Sequence, residues 1–194
     1  VERAKKNIQR SDLTNMLAGA MLEFSKARIK LVGGHTSQSV ETSMGFALTG
    51  ISRITSKIES DITQDKKTQK AFSIILTKPL GIGLILAANM RNLASGQNYQ
   101  DCIRVMLQSN LKAAEFLWQN GALAMTDITG FGLARHTENL TKVLENQFET
   151  PIAAQLNLND IALIPGAAQI LKETSIRATL NASNKKAIQY LKGI

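Results

Sequence analysis

Apolar residues along this chain change their spacing repeatedly, and that alternation limits the fold more than any single motif. Leu13, Met16, Leu17, Ala20, Met21 and Phe24 recur at the i, i+3, i+4, i+7 interval of one helical face. Ser11 and Asp12 supply N-cap chemistry ahead of them, which predicts a helix over about residues 11–27. Lys26 and Arg28 stand near its end, where cations suit the helix dipole. A short apolar run, Ile29 to Val32, then stops at Gly33-Gly34, the pattern of a strand entering a loop. Met44, Phe46, Leu48 and Ile51 form a second strand-like stretch, and similar runs recur at 72–77, 123–125 and 152–156. Helices are predicted over about 83–92, around Cys102 to Ser109, over Leu111 to Trp118 with Gly121 as C-terminal cap, from Leu133 through Leu144, and over 166–173 and 184–191. Strands alternating with helices predict an α+β, or α/β-like, architecture.

The stretch 52–70 is polar, carries mixed charges and lacks Pro and Gly. It is read as a boundary: residues 1–58 in one domain, 59–70 as linker, 71–194 in a second. Twenty-three Lys and Arg against fifteen Asp and Glu give a net charge of +8, which permits an anionic ligand without naming one. The basic residues neither form a dense stripe nor interleave with aromatics, so no nucleic-acid partner is expected. The longest apolar runs, such as Ile82 to Met90, are too short and interrupted to cross a bilayer, and no leader opens the chain, so no membrane association and a cytoplasmic location are expected. A single cysteine, Cys102, excludes an intrachain disulfide and a thiolate metal cluster. Because the first residue is Val1 rather than Met, the chain is read as a fragment.

Two segments carry candidate chemistry. Gly33-Gly34-His35-Thr36 places two residues without Cβ at the end of a strand-like run, where backbone N–H groups and the Thr36 hydroxyl can meet an anion; a plain glycine turn is the other reading. Thr126-Asp127-Ile128-Thr129-Gly130-Phe131-Gly132 puts a carboxylate just before a helix. Asp127 is a hard oxygen ligand of the kind Mg²⁺ takes, or else Thr126, Asp127 or Thr129 caps the helix that follows. Gly81-Ile82-Gly83 lacks the third glycine of a dinucleotide fingerprint, Leu86 standing there instead. Cys102 lies on an apolar helical face and reads as a small hydrophobe rather than a nucleophile paired with His35 or His136. No catalytic side chain is assigned.

Taken in order, Leu31-Val32-Gly33-Gly34-His35-Thr36, Gly45-Phe46-Ala47-Leu48-Thr49-Gly50, Leu76-Thr77-Lys78-Pro79-Leu80-Gly81 and the segment 126–132 resemble selenophosphate synthetase, also called selenide, water dikinase. The resemblance runs from about Leu13 to Ala182, with Pro165-Gly166-Ala167 and Ser175-Ile176-Arg177-Ala178-Thr179-Leu180 as further matches. It implies the tail of an N-terminal ATP-binding and dimerising domain, its last helix and strands. An aminoimidazole ribonucleotide synthetase-like C-terminal domain follows, a mixed sheet flanked by helices. It implies ATP and Mg²⁺ as cofactors, selenide as substrate, a homodimer, Gly33, Gly34, His35 and Thr36 as nucleotide-phosphate contacts, and Asp127 as a Mg²⁺ ligand. The implied reaction makes selenophosphate, AMP and phosphate from ATP, selenide and water. The family's Cys or selenocysteine segment with its Lys, and its other metal-binding aspartates, have no counterpart in these residues, so the fragment alone is expected to be inactive. The alternative is a noncatalytic or diverged relative serving as a binding domain or acting on another substrate.

Overall fold

The computed structural model describes residues 6–37, 39–40, 42–51 and 71–188. The chain divides into two compact units, Val1–Thr55 and Ser56–Ile194. The expected linker, 59–70, lies outside the described residues.

In the first unit, helix α1 spans Lys6–Lys26. It begins five residues before Ser11, so Ser11 and Asp12 are interior residues and not caps. Lys6 to Arg10 contain neither Gly nor Pro, and Lys, Gln and Arg among them are good helix formers, so nothing stops the helix from starting there. Its end is a tight C-terminal motif: the Ile29 N–H donates to the Phe24 carbonyl at 2.8 Å and the Arg28 N–H to the Ser25 carbonyl at 3.1 Å. Arg28 takes the left-handed conformation, φ 56°, that such an ending usually gives to glycine. The chain then continues without regular secondary structure, and Phe46 meets Phe24 edge-on at 4.9 Å between ring centroids. Ile29, Leu31, Val32, Ala47 and Leu48 close a small hollow around that pair.

The second unit carries six α-helices among its described residues: α2 (Ile82–Asn89), α3 (Gly96–Leu107), α4 (Leu111–Gln119), α5 (Gly132–Phe148), α6 (Ala167–Glu173) and α7 (Asn181–Ile188). α2 is the hub, apolar throughout its middle, and it packs on α3 and α6. Leu84, Ile85, Ala87, Ala88, Cys102, Ile164, Ala167, Ile170 and Ile176 form the core cluster. Cys102 is fully buried, its Sγ 3.9 Å from the Ile82 carbonyl, and burial raises its thiol pKa, in keeping with an inert core residue. Ser95 caps α3 by accepting from the Asn98 N–H at 3.1 Å. At the other end Lys78 donates to the Val105 and Gln108 carbonyls, at 3.4 and 2.9 Å, placing a cation on the negative end of the helix dipole. Gly121, φ 85°, closes α4 as expected, with the Ala122 N–H on the Leu117 carbonyl at 2.9 Å. The last helix starts three residues earlier than the spacing predicts, at Asn181, and is described to Ile188; the rest of the predicted span, 189–191, lies outside the described residues.

The described residues form no strand. Segments 29–32, 44–51, 72–77, 123–125 and 152–156, where the spacing predicts strands, carry no regular secondary structure, and the sole ladder element among the described residues is a parallel bridge between Leu80 and Leu163. There the Leu80 N–H donates to the Ala162 carbonyl and the Ile164 N–H to the Leu80 carbonyl, each at 2.8 Å. An apolar run makes a segment extended; only a neighbouring segment in register makes it a strand. The described residues thus show a helix-rich chain and not the mixed sheet that the resemblance implies, and apolar side chains of the irregular connections, such as Ile75 and Leu48, are exposed.

Candidate functional site

The segment 126–132 is anchored from two sides. His136, one turn into α5, is 8% exposed, and its ring reaches back to the residues before the helix. Its Nε2 receives the Thr129 backbone N–H at 3.1 Å and lies 3.0 Å from the Thr129 hydroxyl; its Nδ1 lies 3.4 Å from the Thr126 hydroxyl. From the far end of the unit, Asn184 on α7 donates its amide to the Gly130 carbonyl at 2.9 Å. Gly132 fits beneath that amide with φ 81°, and a Cβ there would come within 3.1 Å of Asn184 Nδ2.

Between these anchors Asp127 is exposed, and its carboxylate accepts no hydrogen bond and forms no ion pair among the described residues. The helix-cap reading of Thr126, Asp127 and Thr129 does not hold. The residue at the α5 N-cap is Phe131, without a side-chain cap bond, and the Thr129 hydroxyl is turned to His136. Among the described residues no three His, Cys, Asp or Glu side chains gather into a metal cage. Mg²⁺ ordinarily takes one or two protein carboxylates and fills its remaining positions with water or phosphate oxygens, and an exposed, unengaged carboxylate fits that demand.

Farther along α5, Glu138 accepts from Lys142 at 2.6 Å and Arg135 at 2.9 Å. The Lys142 hydrogen bond, with the charges of both cations, holds its carboxyl below the usual carboxylate range. This ion pair cluster is at the surface and stabilises little.

In the first unit, Gly33, Gly34, His35 and Thr36 are all exposed and carry no regular secondary structure. Neither glycine has a positive φ, and a Cβ built on either meets nothing within 4 Å. The loop's own packing does not require glycine. Its backbone is open to approach from outside, and the small hollow lined by Phe24, Val32, Gly33 and Phe46 adjoins it. The two candidate segments lie in different units.

Sequence reasoning overlooked His136 and Asn184 as supports. The signal for His136 was present: it continues the Leu133, Thr137, Leu140, Leu144 face, so it had to be buried and find polar partners. Asn184 acts across 54 residues, and nothing local announces it.

No helix among the described residues is long and apolar enough to cross a membrane. No family model matches the chain, and no solved structure does. Curated proteins do match. The chain is 32% identical over 161 residues to the selenide, water dikinase of Enterobacter sp. (strain 638), an alignment covering 83% of this chain and 43% of that protein. It is 30% identical over 181 residues to that of Caldanaerobacter subterraneus, covering 93% and 48%, and 33% identical over 156 residues to that of Carboxydothermus hydrogenoformans, covering 80% and 42%. The chain thus spans less than half the length of these relatives.

Proposed function

Because the chain is related over most of its length to the selenide, water dikinases, we propose that it forms part of an ATP-dependent enzyme that makes selenophosphate from selenide, ATP and water, releasing AMP and phosphate. The observation that carries the reading is Asp127: an exposed carboxylate, unpaired among the described residues, on a loop held by His136 and Asn184. Phosphoryl transfer depends on positioning and charge neutralisation more than on covalent chemistry from the protein. Mg²⁺, held by Asp127, would supply the charge neutralisation. Gly33, Gly34, His35 and Thr36 would receive nucleotide phosphates through open backbone N–H groups and the Thr36 hydroxyl. No residue of this chain is assigned a covalent role, and Cys102 is excluded from one by its burial. In the same proposal segments 72–77, 123–125 and 152–156 pair into a mixed sheet in the aminoimidazole ribonucleotide synthetase-like domain of the complete protein. Residues 1–58 are then the tail of the ATP-binding domain of a cytoplasmic homodimer.

Calorimetric titration of the protein with a non-hydrolysable ATP analogue, with and without Mg²⁺, tests the reading. Mg²⁺-dependent binding is expected, and its absence would overturn it. Gly34→Val should weaken that binding roughly tenfold, because a β-branched side chain intrudes where phosphate oxygens would sit. With ordinary φ and open space at Gly34, the melting temperature should stay unchanged. Equal affinity of variant and wild type would remove the loop from the nucleotide site.

A further inference from the structure

We infer that His136 is a positioning residue for the Asp127 carboxylate: held as its neutral Nδ1–H tautomer, the ring joins Thr126 to Thr129 and so fixes the backbone on both sides of Asp127. This rests on the reading that Asp127 meets a divalent cation. The tautomer follows from the partners. A backbone N–H can only donate, so Nε2, 3.1 Å from the Thr129 nitrogen, must accept and carries no proton. The ring proton is therefore on Nδ1 and is donated to the Thr126 hydroxyl at 3.4 Å, which in turn donates a hydrogen bond to the Asp127 carbonyl oxygen at 3.2 Å. One relay thus runs from Nδ1–H through Thr126 to the backbone of Asp127, while the opposite side of the ring holds Thr129. His136 lies in α5, so the rigidity of a 17-residue helix is transmitted to a loop with no ladder of its own. An exposed carboxylate can only be pre-aimed at a cation through its backbone, and His136 is the buried side chain that sets it.

The test combines a spectroscopic signature with a metal probe. In a long-range ¹H–¹⁵N spectrum of the protein at neutral pH, the His136 Nε2 should resonate as an unprotonated nitrogen; a protonated Nε2 would overturn the assignment. Binding of Mn²⁺ alone, followed by loss of its free paramagnetic resonance signal, should weaken about tenfold in His136→Ala, the size of effect usual when the support behind a metal ligand is removed. His136→Gln can still offer an amide oxygen to the Thr129 N–H and should recover most of that loss. Ala and Gln variants equally weak would refute the hydrogen-bond argument. If His136→Ala does not fold, Thr126→Val, which deletes the relay outside the helix, should weaken Mn²⁺ about threefold; unchanged affinity would refute the inference. Asp127→Asn separates the two readings. If it weakens Mn²⁺ binding while His136→Ala does not, the metal site stands and the positioning role falls. If it has no effect, both fall.

Discussion

Gly81→Ala should destabilise the second unit by about 2–6 kcal/mol, the sum of two costs of about 1–3 kcal/mol each. The first is conformational. Gly81 stands at the start of α2 with φ 126° and ψ −2°, a region that residues with a Cβ hardly enter, and its carbonyl accepts the first helical N–H groups, those of Leu84 and Ile85, at 3.1 and 3.0 Å. The second is steric. A Cβ at this position would lie 2.9 Å from the Cβ of Ala167, a short, fully buried side chain with no rotamer to escape into. Gly83, two residues on, is the control. A Cβ there meets Ala178 at 3.4 Å, its φ is ordinary, and within a helix Ala is favoured over Gly, so Gly83→Ala should be neutral or slightly stabilising. Chemical denaturation of the two variants reads the contrast as a fall in midpoint for the first alone. A Gly81→Ala midpoint equal to that of wild type would mean that the start of α2 can shift to accept a Cβ. The glycine pair that fails as a dinucleotide fingerprint is thus explained by packing: the first glycine lets α2 and α6 approach.

In the complete protein, Asp127→Asn should weaken Mg²⁺ at least about tenfold, or about 1.4 kcal/mol, and depress Mg²⁺-dependent ATP turnover by at least the same factor, since it removes a full negative charge while keeping the side chain's shape. Melting temperature should be unaffected, because the carboxylate caps nothing and pairs with nothing among the described residues. Stability and Mg²⁺ dependence therefore discriminate cleanly. A loss of about 1 kcal/mol in stability with unchanged Mg²⁺ affinity would restore the capping role and reject the metal role. The measurement requires both titration of Mg²⁺ and thermal unfolding on the same preparation.

What could be read from the sequence was local. Apolar spacing located α1 through α7, and Gly121 and Cys102 stand as their local chemistry predicts. Where the chain broke a local habit, reading failed. Arg28 ends α1 in the left-handed conformation without the glycine that would announce it, and Ser11 and Asp12 have cap chemistry yet sit within the helix. Pairing is non-local by nature, so five strand-like runs stand out in the sequence while nothing in them names a partner. The candidate site divides the same way: the segment 126–132 stands out in the sequence, whereas its hydrogen bonds to His136 and Asn184 do not, and Lys78 reaches the end of α3 across 27 to 30 residues.

The bridge between Leu80 and Leu163 has a further consequence for how much the intervening chain can vary in length. Closing a flexible loop of about 80 residues costs roughly 4 kcal/mol of chain entropy, but that cost grows only logarithmically, by about 0.6 kcal/mol for each doubling. Extra residues at the exposed turn 149–150, beyond α5, therefore add almost nothing to the closure that seats α2 against α6. The base of the unit and the Asp127 loop are insulated from such insertions, and growth at that turn is thermodynamically close to free.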